Sequence, residues 1–217
     1  EIIKKLNFGR EVYDIDFSPN GKYLAASISA NEAVPDSLRI IDVENIEVLS
    51  AQARGNNRPG NLDYSPDGAK IIAPNMKNGA QILNSVTMDE IATLNGIHTS
   101  DVTCAKFSAT GNYVLTGDEN GKVQLWDADG EPSSVQIDVN EEIVGCDFSN
   151  LDAKFAISTI TGNIYSYSLT GAQLQYIDLA NNYEIEWSDD ADILYILESE
   201  SSPAIITLDG STFETIH

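Results

Sequence analysis

Few side chains in this sequence could carry covalent or acid–base chemistry. It holds two histidines, His98 and the terminal His217, and two cysteines, Cys104 and Cys146. A nucleophile needs a base within hydrogen-bond reach, and one internal histidine makes such pairs scarce. The sequence has no Gly-X-Ser-X-Gly elbow, no phosphate-cradling Gly-rich loop, no His-Glu-X-X-His and no Cys-X-X-Cys. A histidine without a nearby His or Cys is more often a satisfied structural group than a metal ligand, and His98 is read that way. The cysteines lack metal-ligand spacing and sit inside apolar, strand-like runs. They are expected as buried free thiols, which suit a reducing compartment. Asp189, Asp190 and Asp192 suggest calcium, but their spacing fails the EF-hand loop and fits a turn. No enzyme activity, cofactor or metal is expected.

Carboxylates are plentiful. Asp and Glu number 34 against 12 Lys and Arg, a net charge of −22. Such a surface repels phosphate backbones and anionic membranes, so no direct nucleic-acid binding is expected. A basic peptide or basic protein face is the better match. No run approaches 18 consecutive apolar residues, so no membrane-inserted helix is expected. The first residues lack the apolar core of a leader, and no Asn-X-Ser/Thr acceptor occurs. These features suggest an intracellular chain, cytoplasmic or nuclear.

An internal repeat supplies the elements that position these residues. Five segments share one pattern: VYDIDFSPNGKYLAAS (12–27), GNLDYSPDGAKIIAP (60–74), VTCAKFSATGNYVLTG (102–117), IVGCDFSNLDAKFAIS (143–158) and YEIEWSDDADILYILE (183–198). Each has an aromatic followed by Ser, a short polar turn and an apolar run. The aromatics Phe17, Tyr64, Phe107, Phe148 and Trp187 lie 47, 43, 41 and 39 residues apart. A period near 40 with short strands predicts a β-propeller with one four-stranded blade per repeat. Third strands are expected at 37–43, 80–86, 122–128, 163–169 and 204–210. Fourth strands are expected at 46–52, 90–96, 134–140, 173–179 and 212–217. The chain is thus read as one all-β domain, 1–217. Its blades fall near 12–52, 59–96, 98–140, 141–179 and 181–217, and residues 1–8 form an outer strand of a preceding blade.

The third repeat, GIHTSDVTCAKFS…LTGDENGKVQLWD, resembles the WD-repeat family. The resemblance implies a structural tetrad of His98, Thr116, Asn120 and Trp126, with an amide at the family's acid position, which weakens the charge-assisted bond. At the position of Trp126 the other blades carry Ile41, Asn84 or Leu83 depending on register, Tyr167 and Leu208. Family rings commonly have seven blades, so the five blades and one extra strand are expected to belong to a larger ring. The resemblance also implies a scaffold that presents rim loops to partner proteins, as a subunit of a larger complex. Ser-Pro-Asp-Gly repeats occur too in propellers of hydrolases and in bacterial envelope proteins of the TolB type, the alternative reading.

Candidate partner contacts follow from the repeat. The residue before each aromatic is Asp16, Asp63, Lys106, Asp147 or Glu186, and Asp14 and Glu184 lie two positions earlier in their own repeats. First strands of propeller blades line the central channel, and period-2 geometry puts these residues on one strand face. They could form an acidic mouth for a Lys or Arg side chain, or be bonded to neighbouring backbone. Two loops are further candidates: 28–37, and 53–60 with Arg54 and Arg58, the most basic patch of the chain.

Overall fold

The computed structural model describes residues 5–29, 36–55, 61–75, 79–150, 153–179, 183–188, 192–198 and 205–216. They contain strands and turns and no helix. The first sheet comprises β1 (Val12–Phe17), β2 (Tyr23–Ile28), β3 (Asp36–Asp42) and β4 (Glu47–Gly55). The second comprises β5 (Asp63–Tyr64), β6 (Lys70–Asn75), β7 (Gly79–Asn84) and β8 (Glu90–Leu94). The third comprises β9 (Val102–Phe107), β10 (Tyr113–Asp118), β11 (Lys122–Asp127) and β12 (Pro132–Asp138). The fourth comprises β13 (Ile143–Phe148), β14 (Lys154–Thr159), β15 (Asn163–Ser168) and β16 (Gln173–Asp178). The fifth comprises β17 (Tyr183–Trp187), β18 (Ile193–Glu198) and β19 (Ile205–Asp209). Each is an antiparallel meander in chain order, and neighbouring sheets meet through their first strands.

The aromatic-Ser turn recurs for a local reason. Ser18, Ser65, Ser108 and Ser149 each donate their N–H across the turn, to the carbonyls of Tyr23, Lys70, Tyr113 and Lys154. Each hydroxyl oxygen accepts the N–H of that same residue in return. The serine therefore closes the hairpin from both sides. Gly21, Gly68 and Gly111 take positive φ in these turns.

The aromatic of each repeat packs against the preceding blade. Tyr64 shares a buried cluster with Leu38 and Ile40 of blade 1, Phe107 with Ile72 and Ile82 of blade 2. Phe148 packs with Leu115 of blade 3, and Trp187 with Ala156 and Ile164 of blade 4. Their exposures are 6%, 5%, 4% and 4%, whereas Phe17, with no preceding blade among the described residues, is 54% exposed. The hydrophobic core is thus four interfaces between blades, and each sheet is too thin to stand alone.

Two expected strands are absent from the described residues. Residues 5–8 form no strand, and 1–4 lie outside the description. Leu6 and Phe8 instead fold over the face of blade 1 formed by Ala26, Ile28 and Ile41, with the Arg39 guanidinium 4.8 Å from the Phe8 ring. The fourth strand expected at 212–217 is reduced to a bridge between Leu208 and Thr215. Asp209 is the cause: its Oδ1 accepts the N–H groups of Ser211 and Thr212, and tightens the turn. Phe213 then adopts a positive φ of 58° and drops into the blade 5 core.

Phe107→Ala should cost about 3–5 kcal/mol, the usual range for a buried aromatic. Phe17→Ala, at the equivalent but uncovered position, should cost less than about 1 kcal/mol. Urea unfolding of the 217-residue chain checks the contrast, and equal losses would contradict the interface account.

Candidate functional site

Blade 3 builds a buried polar chain. Thr116 and Asp118 lie two residues apart on β10, hence on one face of the strand. Trp126 on β11 pairs across from Val114. His98 enters from the turn before β9, its N–H donated to the Asn95 carbonyl. The Trp126 indole Nε1–H donates to Thr116 Oγ1 at 2.8 Å, and His98 Nε2 lies 2.7 Å from the same oxygen. His98 Nδ1 lies 3.1 Å from Asp118 Oδ2. With Asp118 as carboxylate acceptor, Nδ1 carries the proton and the Thr116 hydroxyl donates to Nε2, so every member is satisfied. Gly96 carries a positive φ and lies under the indole; a Cβ there would meet the ring at 2.5 Å.

This corrects the expected tetrad. The acid is Asp118 and not Asn120. Asn120 sits in the turn beyond the strand, donates its own N–H to Asp118 Oδ1 at 2.9 Å, and reaches Thr99 with its amide at 3.3 Å. The charge-assisted bond is therefore present. Burial works against the Asp118 charge, but the His98 ring and the N–H groups of Lys122 and Asn120 outweigh it and hold the carboxyl below its usual range. Asp, His and a hydroxyl in series are also the types of a hydrolytic triad. Here all three are fully buried and the hydroxyl oxygen is taken by an indole, which suits a brace. The other blades replace Trp126 by Ile41, Leu83, Tyr167 and Leu208, each opposite an apolar residue of its second strand. Asn84 is one residue out of register and caps a turn, accepting the N–H groups of Val86 and Thr87.

The channel carboxylates are mostly committed to the next blade. Asp16 accepts the Tyr64 N–H at 2.8 Å, Asp63 the Phe107 N–H at 2.7 Å, and Asp147 the Trp187 N–H. Asp14 accepts the Leu62 N–H at 2.7 Å. The rule is one residue before an aromatic bonding to the next aromatic's amide. Lys106 breaks it, turning back to pair with Asp63 at 3.2 Å. Burial pushes Asp63 up to about 7 and Asp147 up to about 6, against the pull of Lys106 and the amides. Burial also opposes the Lys106 charge, but Asp63, Asp147 and Glu186 together keep it protonated. Glu184 and Glu186 are exposed and accept no hydrogen bond among the described residues. The Arg54 side chain and Arg58 lie outside the described residues, as does most of the 28–37 loop.

The cysteines are not free. Cys104 and Cys146 form a disulfide between β9 and β13, with Cα atoms 6.0 Å apart. Their strands meet side by side at the blade 3–blade 4 junction, so residues 42 apart in sequence become neighbours. No cluster of His, Cys, Asp and Glu among the described residues could hold a metal ion, and no described helix is long and apolar enough to cross a membrane.

A family model, "WD domain, G-beta repeat", matches residues 3–33 and 89–127, the second span containing the whole tetrad. A crystal structure of a mitotic checkpoint complex contains a chain that superposes with a TM-score of 0.83 at 18% identity, over 98% of this chain and 68% of that one. Two segments of the chain thus match the WD-repeat model, and its fold is that of a β-propeller. An uncharacterised WD repeat-containing protein of Schizosaccharomyces pombe is 38% identical over 75 residues, 35% of this chain and 12% of that protein. The WD repeat-containing protein AAC3 of Dictyostelium discoideum is 25% identical over 122 residues, 54% of this chain and 24% of the relative. Apoptotic protease-activating factor 1 of Danio rerio is 26% identical over 140 residues, 64% of this chain and 10% of the relative. The chain thus spans a quarter or less of the length of these curated relatives.

Thr116→Val should cost about 2–4 kcal/mol, because it leaves the Trp126 indole N–H and the His98 Nε2 buried without a partner. Asn120→Ala should stay within about 0.5 kcal/mol in thermal or urea unfolding. The raised carboxyls give a pH dependence of known sign. A carboxyl whose folded pKa lies above its unfolded value contributes stability below about pH 4 that is lost as pH rises through 6 to 7. Unfolding free energies measured from pH 4 to 8 should show this slope, and the Asp63→Asn, Asp147→Asn double variant should flatten it.

Proposed function

We propose that this chain is a non-catalytic interaction platform whose axial cavity receives a Lys or Arg side chain of a partner protein or peptide, within a multiprotein assembly. The observation that carries this reading is the cavity itself. It encloses about 550 Å³ on the axis and is lined by Asp14, Asp16, Lys106, Glu184 and Glu186 among others. Asp14 and Asp16 have committed one oxygen each to an amide. Glu184 and Glu186 have committed none among the described residues, so a guanidinium or ammonium could pair with them directly. The net charge of −22 would steer a basic partner to this face.

The exposure of Phe17 supports completion of the ring by further blades, to seven in all. In such a ring the Phe17 N–H would meet a carboxylate of the blade before it. The superposable chain belongs to a complex, which supports the subunit reading.

The test measures binding of an Arg- and Lys-rich peptide library by the full chain, because Asp16 and Asp63 hold blades together and their reversal would damage the fold. Glu184→Gln with Glu186→Gln should weaken the best binder at least fivefold and reduce its salt dependence. Unchanged affinity and salt slope would reject the cavity as the basic-residue site.

A further inference from the structure

Four junctions join the five described blades, and three follow one chemical rule. The residue before the aromatic is an aspartate, and its carboxylate accepts the next aromatic's N–H. At the junction of blades 3 and 4 the residue before Phe107 is Lys106, which points back to Asp63. Among the described residues no carboxylate reaches the Phe148 N–H. A second carboxylate brace exists at the first junction: Asp14, three residues before Phe17, accepts the N–H of Leu62, two residues before Tyr64. Cys104 lies three residues before Phe107, and Cys146 lies two before Phe148. The disulfide therefore joins the same pair of positions that Asp14 and Leu62 join by a hydrogen bond. The junction without an aspartate brace is the one with a covalent bond.

We propose that the Cys104–Cys146 bond is a thiol-responsive latch, closed by oxidation and opened by a dithiol reductant, which loosens the blade 3–blade 4 junction selectively.

Geometry supplies both the leverage and the access. Once the bond is cut, the side-chain hydrogen bond left across this junction among the described residues is that from Thr103 Oγ1 to the Ile143 carbonyl at 2.5 Å, together with the apolar cluster around Leu115, Ile143 and Phe155. Both cysteines are buried within that cluster. Cys146 also lines the axial cavity, which is the side from which a small dithiol would approach the bond. The exchange balances as a two-electron transfer. A dithiol's thiolate attacks Cys146 Sγ and forms a mixed disulfide, displacing Cys104 as thiolate. The reductant's second sulfur then releases Cys146 and leaves as a cyclic disulfide, and each cysteine ends with one proton.

The experiment uses the full chain, purified without reductant, and dithiothreitol as the probe. Alkylation with iodoacetamide under denaturing conditions should add no label at Cys104 or Cys146 before reduction and one at each after it. Reduction should lower the thermal midpoint by about 5–10 °C, from the usual weight of a native disulfide in a domain of this size. Hydrogen exchange should speed up in β9 and β13, with β1 and β5 unchanged. The Cys104→Ser, Cys146→Ser double variant should match the reduced protein and ignore the reductant. Two free thiols in the unreduced chain, persisting after treatment with oxidised glutathione, would overturn the latch. So would a reduced protein whose midpoint and exchange are unaltered, or whose exchange rises equally at every junction.

Discussion

The hydrogen bond from a first-strand carboxylate to the next blade's amide is the constraint on which the arrangement rests. A propeller blade is a thin sheet whose faces are covered only by its neighbours, so the structure stands or falls at the junctions. Apolar packing there is strong but weakly directional. The Asp16–Tyr64, Asp63–Phe107 and Asp147–Trp187 bonds add direction, since each fixes one residue of one blade against one residue of the next. A slip of one residue would turn the aspartate to the wrong face and leave a buried amide unpaired, at about 1–3 kcal/mol for each orphaned group. The cost of the arrangement shows in the raised carboxyls of Asp63 and Asp147. Burial of these charges is offset and not repaid, so they act more on register than on net stability.

The tetrad works on a different scale. It lies inside blade 3 and ties its entry turn to β10 and β11, while the axial bonds tie blades together. Blades 1, 2, 4 and 5 do without it because Ile41, Leu83, Tyr167 and Leu208 fill the same place against apolar partners, leaving no indole N–H to satisfy. A polar network is needed only where one of its members is already buried.

The parts of this fold legible in the sequence are those fixed within a few residues. The aromatic-Ser turn is one, because Ser18, Ser65, Ser108 and Ser149 each close their own hairpin. The site was less legible, for three separate reasons. Matching the family motif points to Asn120 as the acid, whereas strand parity from Thr116 points to Asp118. Cys104 and Cys146 look like separate thiols in the sequence because strand alternation says nothing about which blades touch; their pairing rests on a contact across 42 residues. The expectation of a reducing compartment leaned partly on those thiols and loses that support. The final strand failed because a strong local turn at Asp209 competes with continued pairing, and the turn wins.

Lys106 shows how one substitution redistributes the work of a repeat. An aspartate there would have faced Asp63 and Asp147 across the axis, adding a further buried negative charge to a region already short of counterions. A lysine relieves that repulsion and pairs with Asp63, at the cost of the brace to Phe148. The junction that loses the brace must then be held in another way, and a bond between Cys104 and Cys146 requires no charge at all. The cation and the covalent bond are thus complementary: the first makes the acidic axis tolerable, and the second restores the register that the first gave up.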